Sequence, residues 1–225
     1  VICVMSGNFV QRGEFAIWDK FKRCNTALEN GADIVIELPC AYSLMSAEGF
    51  AKAGVTLIEK TGIIDEIAFG AECDDIGKLK EIADKIDKSH ELIKEEMKSG
   101  ISYPAARKNV IGDDLLDTPN NILAIEYLRH TYLPAKAVKR IGKGHDTDDE
   151  LFSASAIRET LNKDNICSMK NCEKAILARL RTMSAEDFAQ IEDVNEGLEN
   201  RIYDAVRQST GIDEIYERIK TKRYT

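Results

Sequence analysis

Polar side chains follow the first apolar segment of the chain, where a strand should give way to a helix. Val1–Met5 is uniformly apolar, and the next segment, Ser6–Glu14, has the sequence SGNFVQRGE. Asn8, Gln11 and Arg12 supply amide and guanidinium groups, which donate hydrogen bonds to anions and to the polar edges of nucleobases. The loop is more polar than a plain connection requires, and we predict that it lines a ligand-binding site.

Glycine recurs in two further loops that follow apolar segments. Phe69–Glu72 has the sequence FGAE and Gly142–Asp146 has the sequence GKGHD, in addition to the glycine within Ser6–Asn8. Glycine lets backbone N–H groups approach a ligand closely, and ligands of open α/β sheets bind beyond the carboxyl ends of the strands. Each glycine is also explained by the need to turn the chain. Both interpretations, a nucleotide-type pocket and three plain turns, stay open at this point.

A pair of serines precedes a helical pattern in Phe152–Arg158, which has the sequence FSASAIR. Ser153 or Ser155 can cap this helix. The N–H groups of its first turn, together with Arg158, would form an anion site suited to phosphate. The alternative is an ordinary capped helix that carries a surface arginine.

Candidate acid/base groups are few. His145 and Asp146 are adjacent in a loop and could act as an acid/base pair, although neighbouring loop residues need not contact each other. His90 and His130 lie in helical patterns and are interpreted as surface or packing residues. Glu72 could hold ribose hydroxyls, help to bind Mg²⁺ or be a solvated loop carboxylate, and the sequence does not distinguish these roles.

The composition is that of a globular chain with an acidic balance. Of the 225 residues, 44% are hydrophobic and 31% are charged, and the net charge of -8 argues against bulk attraction to nucleic acid. Two basic stretches, Lys136–Lys143 and Lys220–Tyr224, are either solvated faces or local contacts to nucleic acid. The six cysteines lack C-x-x-C spacing, so we predict no structural metal site. No apolar run approaches about 20 residues and no signal peptide is visible, which predicts a cytoplasmic protein without membrane contact.

Alternating strand and helix patterns must position these loops. The predicted strands lie at residues 1–5, 32–38, 63–69 and 135–141. The predicted helices lie at residues 19–30, 46–61, 77–99, 103–110, from 119 onward and, beyond about residue 162, at 173–181, 185–190, 197–208 and 212–220. Strands alternating with helices of this length indicate a parallel sheet with crossover helices, followed by an all-helical part.

Several blocks of the sequence resemble one enzyme family. They are MSGNFVQRGE, DIVIELP, FGAE, PNNILAIEYLR, KRIG, SASAIR, VNEGLENRI and IKTKRYT. Spanning nearly the whole chain, they are similar to the tRNA(Met) cytidine acetate ligase family, within the nucleotidyltransferase superfamily that carries a HIGH-type signature. The resemblance implies an α/β fold, with a Rossmann-like nucleotidyltransferase parallel sheet and a C-terminal all-helical domain. It also implies an enzyme that uses ATP to activate acetate as acetyl-adenylate and then acetylates N4 of the wobble cytidine of elongator tRNA(Met).

The resemblance assigns roles to particular parts of the chain. Residues 1–161 would be the ATP-binding catalytic domain, and residues 162–225 a helical tRNA-binding domain. ATP would be a substrate accompanied by Mg²⁺, and His145 and Arg12 are the candidates for catalysis. ATP is the predicted contact of Gly70, Asn120 and Arg140, and phosphate oxygens are the predicted contacts of Ser153, Ser155 and Arg158. Acetate or the cytidine is the predicted contact of Asn8, Gln11 and Arg12. The tRNA backbone is the predicted contact of Lys220, Lys222 and Arg223.

The chain also departs from the family pattern. The family's first strand and histidine-bearing loop are expected before Val1, and more basic sequence is expected after Thr225. The segment between Tyr127 and Lys139 is shorter than the family pattern, and glycine replaces an aromatic residue before His145. Two alternatives are therefore kept: another nucleotidyltransferase acting on a small phosphorylated metabolite, and a non-catalytic RNA-binding module.

Overall fold

The computed structural model describes residues 1–140, 169–191 and 194–221, apart from the side chain of Arg12. These residues form two compact units. The first unit contains residues 1–92 and 107–140, and the second contains residues 93–106 and the described residues from 169 onward. Within this part of the chain, no helix combines the length and the hydropathy needed to cross a bilayer.

The first unit contains short parallel strands that form two pairs. The strands are β1 (Ile2–Ser6), β2 (Ile34–Leu38), β3 (Ile67–Ala71) and β4 (Ala135–Lys139). Among the described residues, β1 pairs with β2 and β3 pairs with β4, in both cases in parallel. The predicted parallel α/β arrangement is confirmed, and each strand lies within a few residues of its predicted position.

One strand, β3, begins later than predicted. The apolar pair Ile63 and Ile64 predicted a start at residue 63, but Ile63 is 68% exposed. The ladder begins instead where the N–H of Ile67 donates to the carbonyl of Pro134 at 2.9 Å. A strand begins where its backbone finds a partner, and apolar composition alone does not reveal that point.

Helices connect the strands and pack against them. Asp19 and Ser46 accept hydrogen bonds from backbone N–H groups at the starts of the first and third helices, which is why these starts were predictable from the sequence. Single turns of 3₁₀ helix occur at Gln11–Gly13 and Asp114–Asp117. The α-helices up to residue 130 are α1 (Lys20–Glu29), α2 (Cys40–Ser43), α3 (Ala47–Lys60), α4 (Ile76–Lys88), α5 (His90–Met97), α6 (Tyr103–Ile111) and α7 (Pro119–His130).

The long helix predicted at residues 77–99 is wrong, because α4 and α5 are separate helices with Ser89 between them. The N–H of Ser89 donates to the carbonyls of Lys85 at 3.0 Å and Ile86 at 3.1 Å, and its φ of -99° and ψ of 11° end α4. Such a shared hydrogen bond is common at helix termini. Ile86 and Ile93 are both buried, so the apolar pattern continues across the break and does not indicate it.

A central helix of the first unit, α7, packs against α3, α4 and β3. Pro119 occupies its first turn, where a missing N–H costs little. Ala124 and Ile125 are completely buried on this helix. Glu126, next along the chain, is buried as well, with 1% of its side chain exposed.

The buried Glu126 carboxylate is paired with two arginines. Arg107 Nη1 lies 2.9 Å from Oε1, and Arg129 Nη1 lies 2.6 Å from Oε2. Arg129 Nε also donates to Asp87 Oδ1 at 2.7 Å. This ionic network ties α7 to α4 and α6, and it holds in place the helix whose first turn carries Asn120.

The second unit contains helices around an apolar core of its own. Ser184 and Asp187 form a reciprocal capping box at the start of one of them. The four helices predicted here are present, with ends within a few residues of the predicted ones. They are α8 (Met169–Thr182), α9 (Ala185–Ala189), α10 (Leu198–Gln208) and α11 (Ile212–Ile219). The buried residues of the core are Leu177, Phe188, Ala205, Val206, Ile212 and Ile215.

Candidate functional site

Gly70, Asn120 and Arg140 converge at the carboxyl ends of β3 and β4. Gly70 is the ladder partner of Val138, and the N–H of Arg140 donates to the carbonyl of Ala71 at 3.0 Å. Asn120 lies in the first turn of α7 and is hydrogen-bonded to Arg140. Three residues from separate sequence motifs therefore lie at one edge of the β3–β4 pair.

A chain of hydrogen bonds joins three side chains at this edge. Arg140 Nη1 donates to Asn120 Oδ1 at 2.9 Å, and Asn120 Nδ2 donates to Glu72 Oε1 at 2.6 Å. An ionised carboxylate only accepts hydrogen bonds and a guanidinium only donates them. The amide of Asn120 therefore satisfies both neighbours in one orientation, with its oxygen toward Arg140 and its nitrogen toward Glu72.

The second oxygen of Glu72 binds the backbone of α7. The N–H of Asn121 donates to Glu72 Oε2 at 2.8 Å. Asn121 is buried, and its Oδ1 accepts a hydrogen bond from the N–H of Cys73 at 2.8 Å. Hydrogen bonds donated in both directions thus join the loop after β3 to the start of α7. The Glu72 carboxylate also lies at the N-terminus of α7, where negative charge is favoured.

The ionisation of Glu72 reflects these contacts. Partial burial raises the pKa of Glu72, but the hydrogen bonds that its carboxylate accepts, chiefly from the Asn120 side chain and the Asn121 backbone, together outweigh burial, and the net pKa is lowered. Glu72 is therefore a carboxylate at neutral pH, which is the form that accepts both hydrogen bonds.

The lowered pKa of Glu72 predicts an acid dependence of stability. The stabilisation that comes from this group is present above the ordinary glutamate pKa of 4.5 and is lost as the pH falls through the lowered folded-state value. We expect the free energy of unfolding to fall more steeply with acidification in the wild-type chain than in the Glu72→Gln variant. Denaturant unfolding from neutral pH into the acid range measures this, and parallel curves would contradict it.

Gly70 leaves the end of β3 uncovered next to Arg140. Among the described atoms, a Cβ built on Gly70 would meet the Cγ of Arg140 at 3.6 Å, which is an ordinary van der Waals contact. The packing of the described residues therefore does not require glycine here. A ligand that lies against the strand end would require it, because a side chain would occupy that space.

A cavity of about 820 Å³ opens beside this edge. Its wall is mostly apolar, with side chains from β1, β3 and α3, and Asn120 and Arg140 are among its polar residues. Tyr127 also lines it, and burial raises the pKa of Tyr127 to about 12, so its hydroxyl stays protonated.

The opening loop is anchored to α1 through Asn8. Asn8 Oδ1 accepts a hydrogen bond from the backbone N–H of Lys20 at 2.9 Å, and its carbonyl accepts one from Ala16 at 2.9 Å. Gln11 and Arg12 lie in the 3₁₀ turn of the loop. The Asn8 side chain thus has a partner within the protein.

Arg23 holds the base of the same loop, a role that sequence reasoning missed. Its Nη2 donates to the carbonyls of Ser6 at 3.0 Å and Gly7, and its Nε donates to the carbonyl of Trp18 at 3.0 Å. Glu37 approaches Gly7 so closely that a Cβ there would overlap its carboxylate. An arginine within a helix pattern is ordinarily solvated, so no sequence signal distinguishes Arg23.

One of the cations predicted to contact tRNA, Lys220, lies within the described part of the chain. Lys220 follows α11, is exposed and forms an ion pair with Glu217 at 2.5 Å. The other predicted residues lie outside the described part of the chain and stay predictions: His145, Ser153, Ser155, Arg158, Lys222 and Arg223.

Comparison with known proteins identifies the family to which this chain belongs. The model of the HIGH Nucleotidyl Transferase family matches residues 1–225, and the chain belongs to that family. Within it, the tRNA(Met) cytidine acetate ligase of Clostridium kluyveri is 37% identical, in an alignment that covers 100% of this chain and 67% of that protein. The tRNA(Met) cytidine acetate ligase of Fervidobacterium nodosum is 35% identical over 100% of this chain and 63% of that protein. The resemblance drawn from the motifs, to the tRNA(Met) cytidine acetate ligase family, is confirmed.

Solved structures show the same relationship. The apo crystal structure of Thermotoga maritima TmcAL matches with a TM-score of 0.85 at 29% identity, and the structure of that protein bound with alpha-thio ATP matches with a TM-score of 0.84 at 30% identity. Both comparisons cover 100% of this chain and 64% of the crystallised one. The chain therefore has the nucleotidyltransferase fold, and it spans less than two thirds of the length of several of these relatives.

Proposed function

We propose that this chain forms the ATP-binding and adenylate-forming part of a tRNA(Met) cytidine acetate ligase. The carboxylate of acetate attacks the α-phosphate of ATP, which forms acetyl-adenylate and expels pyrophosphate. N4 of the wobble cytidine of elongator tRNA(Met) then takes the acetyl group, and AMP leaves. The observation that best supports the proposal is the hydrogen-bonded set of Glu72, Asn120 and Arg140 at the carboxyl ends of β3 and β4.

The site has the groups that a nucleotide requires. Arg140 donates one N–H to Asn120, and a guanidinium carries five N–H donors in a planar fork that matches phosphate oxygens. Gly70 leaves the strand end uncovered for the adenosine. The structure of Thermotoga maritima TmcAL bound with alpha-thio ATP supports ATP as the nucleotide.

Adenylate formation depends mainly on position and charge. Acetate is a poor acyl donor, and its activation needs in-line placement of the carboxylate and neutralisation of the phosphate charge. We assign the phosphate oxygens to Ser153, Ser155 and Arg158 because of their motif. Gln11 and Arg12 in the opening loop are assigned to acetate or the cytidine. Asn8, already bonded to Lys20, would contribute chiefly by holding the loop.

Two residues are candidates for catalysis of acetyl transfer in this scheme. Loss of a proton from the N4 amine of cytidine accompanies acetyl transfer, and a histidine with an ordinary pKa suits that task near neutral pH. His145 is the candidate for this proton transfer, and Arg12 is a candidate for stabilising the negative charge that develops on the acetyl oxygen.

Mg²⁺ is proposed to enter with ATP. Among the residues that the structure describes, no three His, Cys, Asp or Glu side chains group in a way that could hold a metal ion. Both oxygens of Glu72 already accept hydrogen bonds within the protein. Mg²⁺ commonly keeps several waters and binds through substrate phosphates, so the phosphates of ATP are its proposed ligands.

The release of pyrophosphate tests the proposal. We expect the full-length protein to release pyrophosphate from ATP in the presence of acetate without tRNA, and to form N4-acetylcytidine once elongator tRNA(Met) is added. Pyrophosphate release that requires a phosphorylated metabolite instead of acetate would favour another nucleotidyltransferase. Binding of tRNA with no pyrophosphate release under any condition would favour the non-catalytic RNA-binding module.

Three cations near the C-terminus are proposed to contact the tRNA backbone. They are Lys220, Lys222 and Arg223, and they follow the helices of the second unit. Neutralising all three should weaken tRNA binding about tenfold and flatten its salt dependence, since each contact to a phosphate releases counterions. Filter binding of tRNA over a range of salt concentrations measures both effects. Formation of acetyl-adenylate without tRNA should be unchanged.

A matched control removes the same charge elsewhere. Lys60, Lys80 and Lys88 are exposed lysines of the first unit, and their triple substitution by glutamine should leave the slope of the salt dependence nearly unchanged. If the C-terminal triple variant kept its tRNA affinity and lost adenylate formation, those cations would belong to the nucleotide site instead.

A further inference from the structure

We infer that Glu72 is a positioning residue of the nucleotide site, which orients Asn120 and, through it, Arg140. The inference rests on the proposed function, because it concerns the same site. The sequence left Glu72 with three possible roles, as a ribose ligand, a Mg²⁺ ligand or a solvated carboxylate. The structure directs both of its oxygens to protein donors, Asn120 Nδ2 and the Asn121 N–H.

The Glu72 carboxylate links the backbone of α7 to the side chain of Arg140 through Asn120. Glu72 is held by a backbone N–H of α7, which does not move without the helix. It holds the Asn120 amide by its nitrogen, and the amide holds Arg140 by its oxygen. Arg140 itself is exposed, and an exposed arginine samples many rotamers unless a partner restrains it.

Glu72 sets the orientation of the Asn120 side-chain amide. A reversed Asn120 would place its oxygen 2.6 Å from a carboxylate oxygen and its nitrogen 2.9 Å from a guanidinium nitrogen, so both contacts would be repulsive. With Glu72 present, the guanidinium is oriented before the nucleotide arrives, and binding costs less conformational entropy.

The Glu72→Gln variant breaks this arrangement while it keeps the size of the side chain. Glutamine has one oxygen and one NH₂ group, so one of the two donors, Asn120 Nδ2 or the Asn121 N–H, must face another donor. We expect ATP binding to weaken on the order of tenfold. The loss should occur because Arg140 is no longer held, and not because Glu72 touches the nucleotide.

A double-mutant cycle separates these two causes. ATP affinity is measured by calorimetry for the wild type, Glu72→Gln, Arg140→Ala and the double variant. If Glu72 acts through Arg140, the double variant should bind ATP within about twofold of Arg140→Ala alone. If the two losses multiply, the effect of Glu72 does not pass through Arg140, and the inference is overturned.

The control removes the same charge at the other end of the strand. Glu66 is exposed and precedes β3 by one residue, so Glu66→Gln removes a carboxylate without touching Asn120. It should leave ATP affinity unchanged. A tenfold loss in this variant would show that net charge causes the effect and would overturn the inference.

A readout without nucleotide distinguishes failure of the inference from failure of the proposed function. The side-chain NH₂ resonances of Asn120 in ¹⁵N-labelled protein should shift in Glu72→Gln and stay in place in Glu66→Gln. Unchanged Asn120 resonances in Glu72→Gln would overturn the inference whether or not ATP binds. A full-length wild-type protein that does not bind ATP, but shows the expected shift, would contradict the proposed function alone.

Discussion

Replacing Arg140 with alanine should weaken ATP binding or slow adenylate formation at least tenfold, which corresponds to about 1.4 kcal/mol. The guanidinium lies beside the uncovered strand end at Gly70 and is held by Asn120 at 2.9 Å. Hydrogen bonds from a cation to phosphate are stronger than neutral ones, and alanine removes all of them. Calorimetric titration with ATP and acetate-dependent pyrophosphate release, both in the full-length protein, measure the two effects.

A suitable control for Arg140→Ala is Lys136→Ala. Lys136 is an exposed cation at the other end of β4, on the same face of the strand as Arg140 because side chains alternate. Its loss should leave ATP affinity unchanged. Equal losses in the two variants would indicate a general effect of charge, and an unchanged Arg140→Ala would remove Arg140 from the site. Because Arg140 is exposed, its replacement should change the unfolding midpoint little.

Replacing Glu126 with alanine should lower the free energy of unfolding by about 3–5 kcal/mol. Glu126 is buried between Arg107 at 2.9 Å and Arg129 at 2.6 Å, and both arginines are almost completely buried. Without the carboxylate, two guanidinium groups would remain away from water and close to each other. Breaking a buried ion pair from one side is costly for this reason. Urea unfolding followed by circular dichroism measures the loss.

The control for Glu126→Ala is an exposed ion pair on a neighbouring helix. Glu81 and Lys85 lie 2.8 Å apart on α4, and both are solvated. Exposed pairs contribute little to stability, so Glu81→Ala should leave the unfolding midpoint nearly unchanged. Similar midpoints for the Glu126→Ala and wild-type proteins would show that the buried network does not stabilise the fold.

These two substitutions separate the two functions of α7. Its first turn carries Asn120, which we propose to be part of the nucleotide site, and its middle carries Glu126, which is buried. We expect Arg140→Ala to change binding with little change in stability. We expect Glu126→Ala to lower stability strongly, with ATP affinity reduced only in proportion to the loss of folded protein.

The sequence by itself determined the order and type of the main elements. Strands and helices follow local hydrophobic periodicity, and helix starts follow local capping residues such as Asp19 and Ser46. The sequence also predicted that Gly70, Asn120 and Arg140 belong to one site, through short motifs that resemble a known family, and the structure places the three residues together. All of this information lies within a few residues along the chain.

The predicted ends of strands and helices were less accurate where the end depends on a hydrogen bond or on a change of backbone direction. The start of β3 at Ile67 requires Pro134 on the neighbouring segment, and the break at Ser89 lies within an unbroken apolar pattern. In both places the local sequence favours continuation. A hydrogen bond or a change of backbone direction decided the boundary, and neither leaves a compositional signal.

Only the tertiary structure decided what the charged residues contact. Glu72 is 48 residues away from Asn120 in sequence, and Arg107 is 19 residues away from Glu126. From the sequence, Glu72 had several possible roles, and neither Glu126 nor Arg23 was singled out. A charged side chain takes its role from its partners and its exposure to water, and both are set by the packing of elements that are distant in sequence.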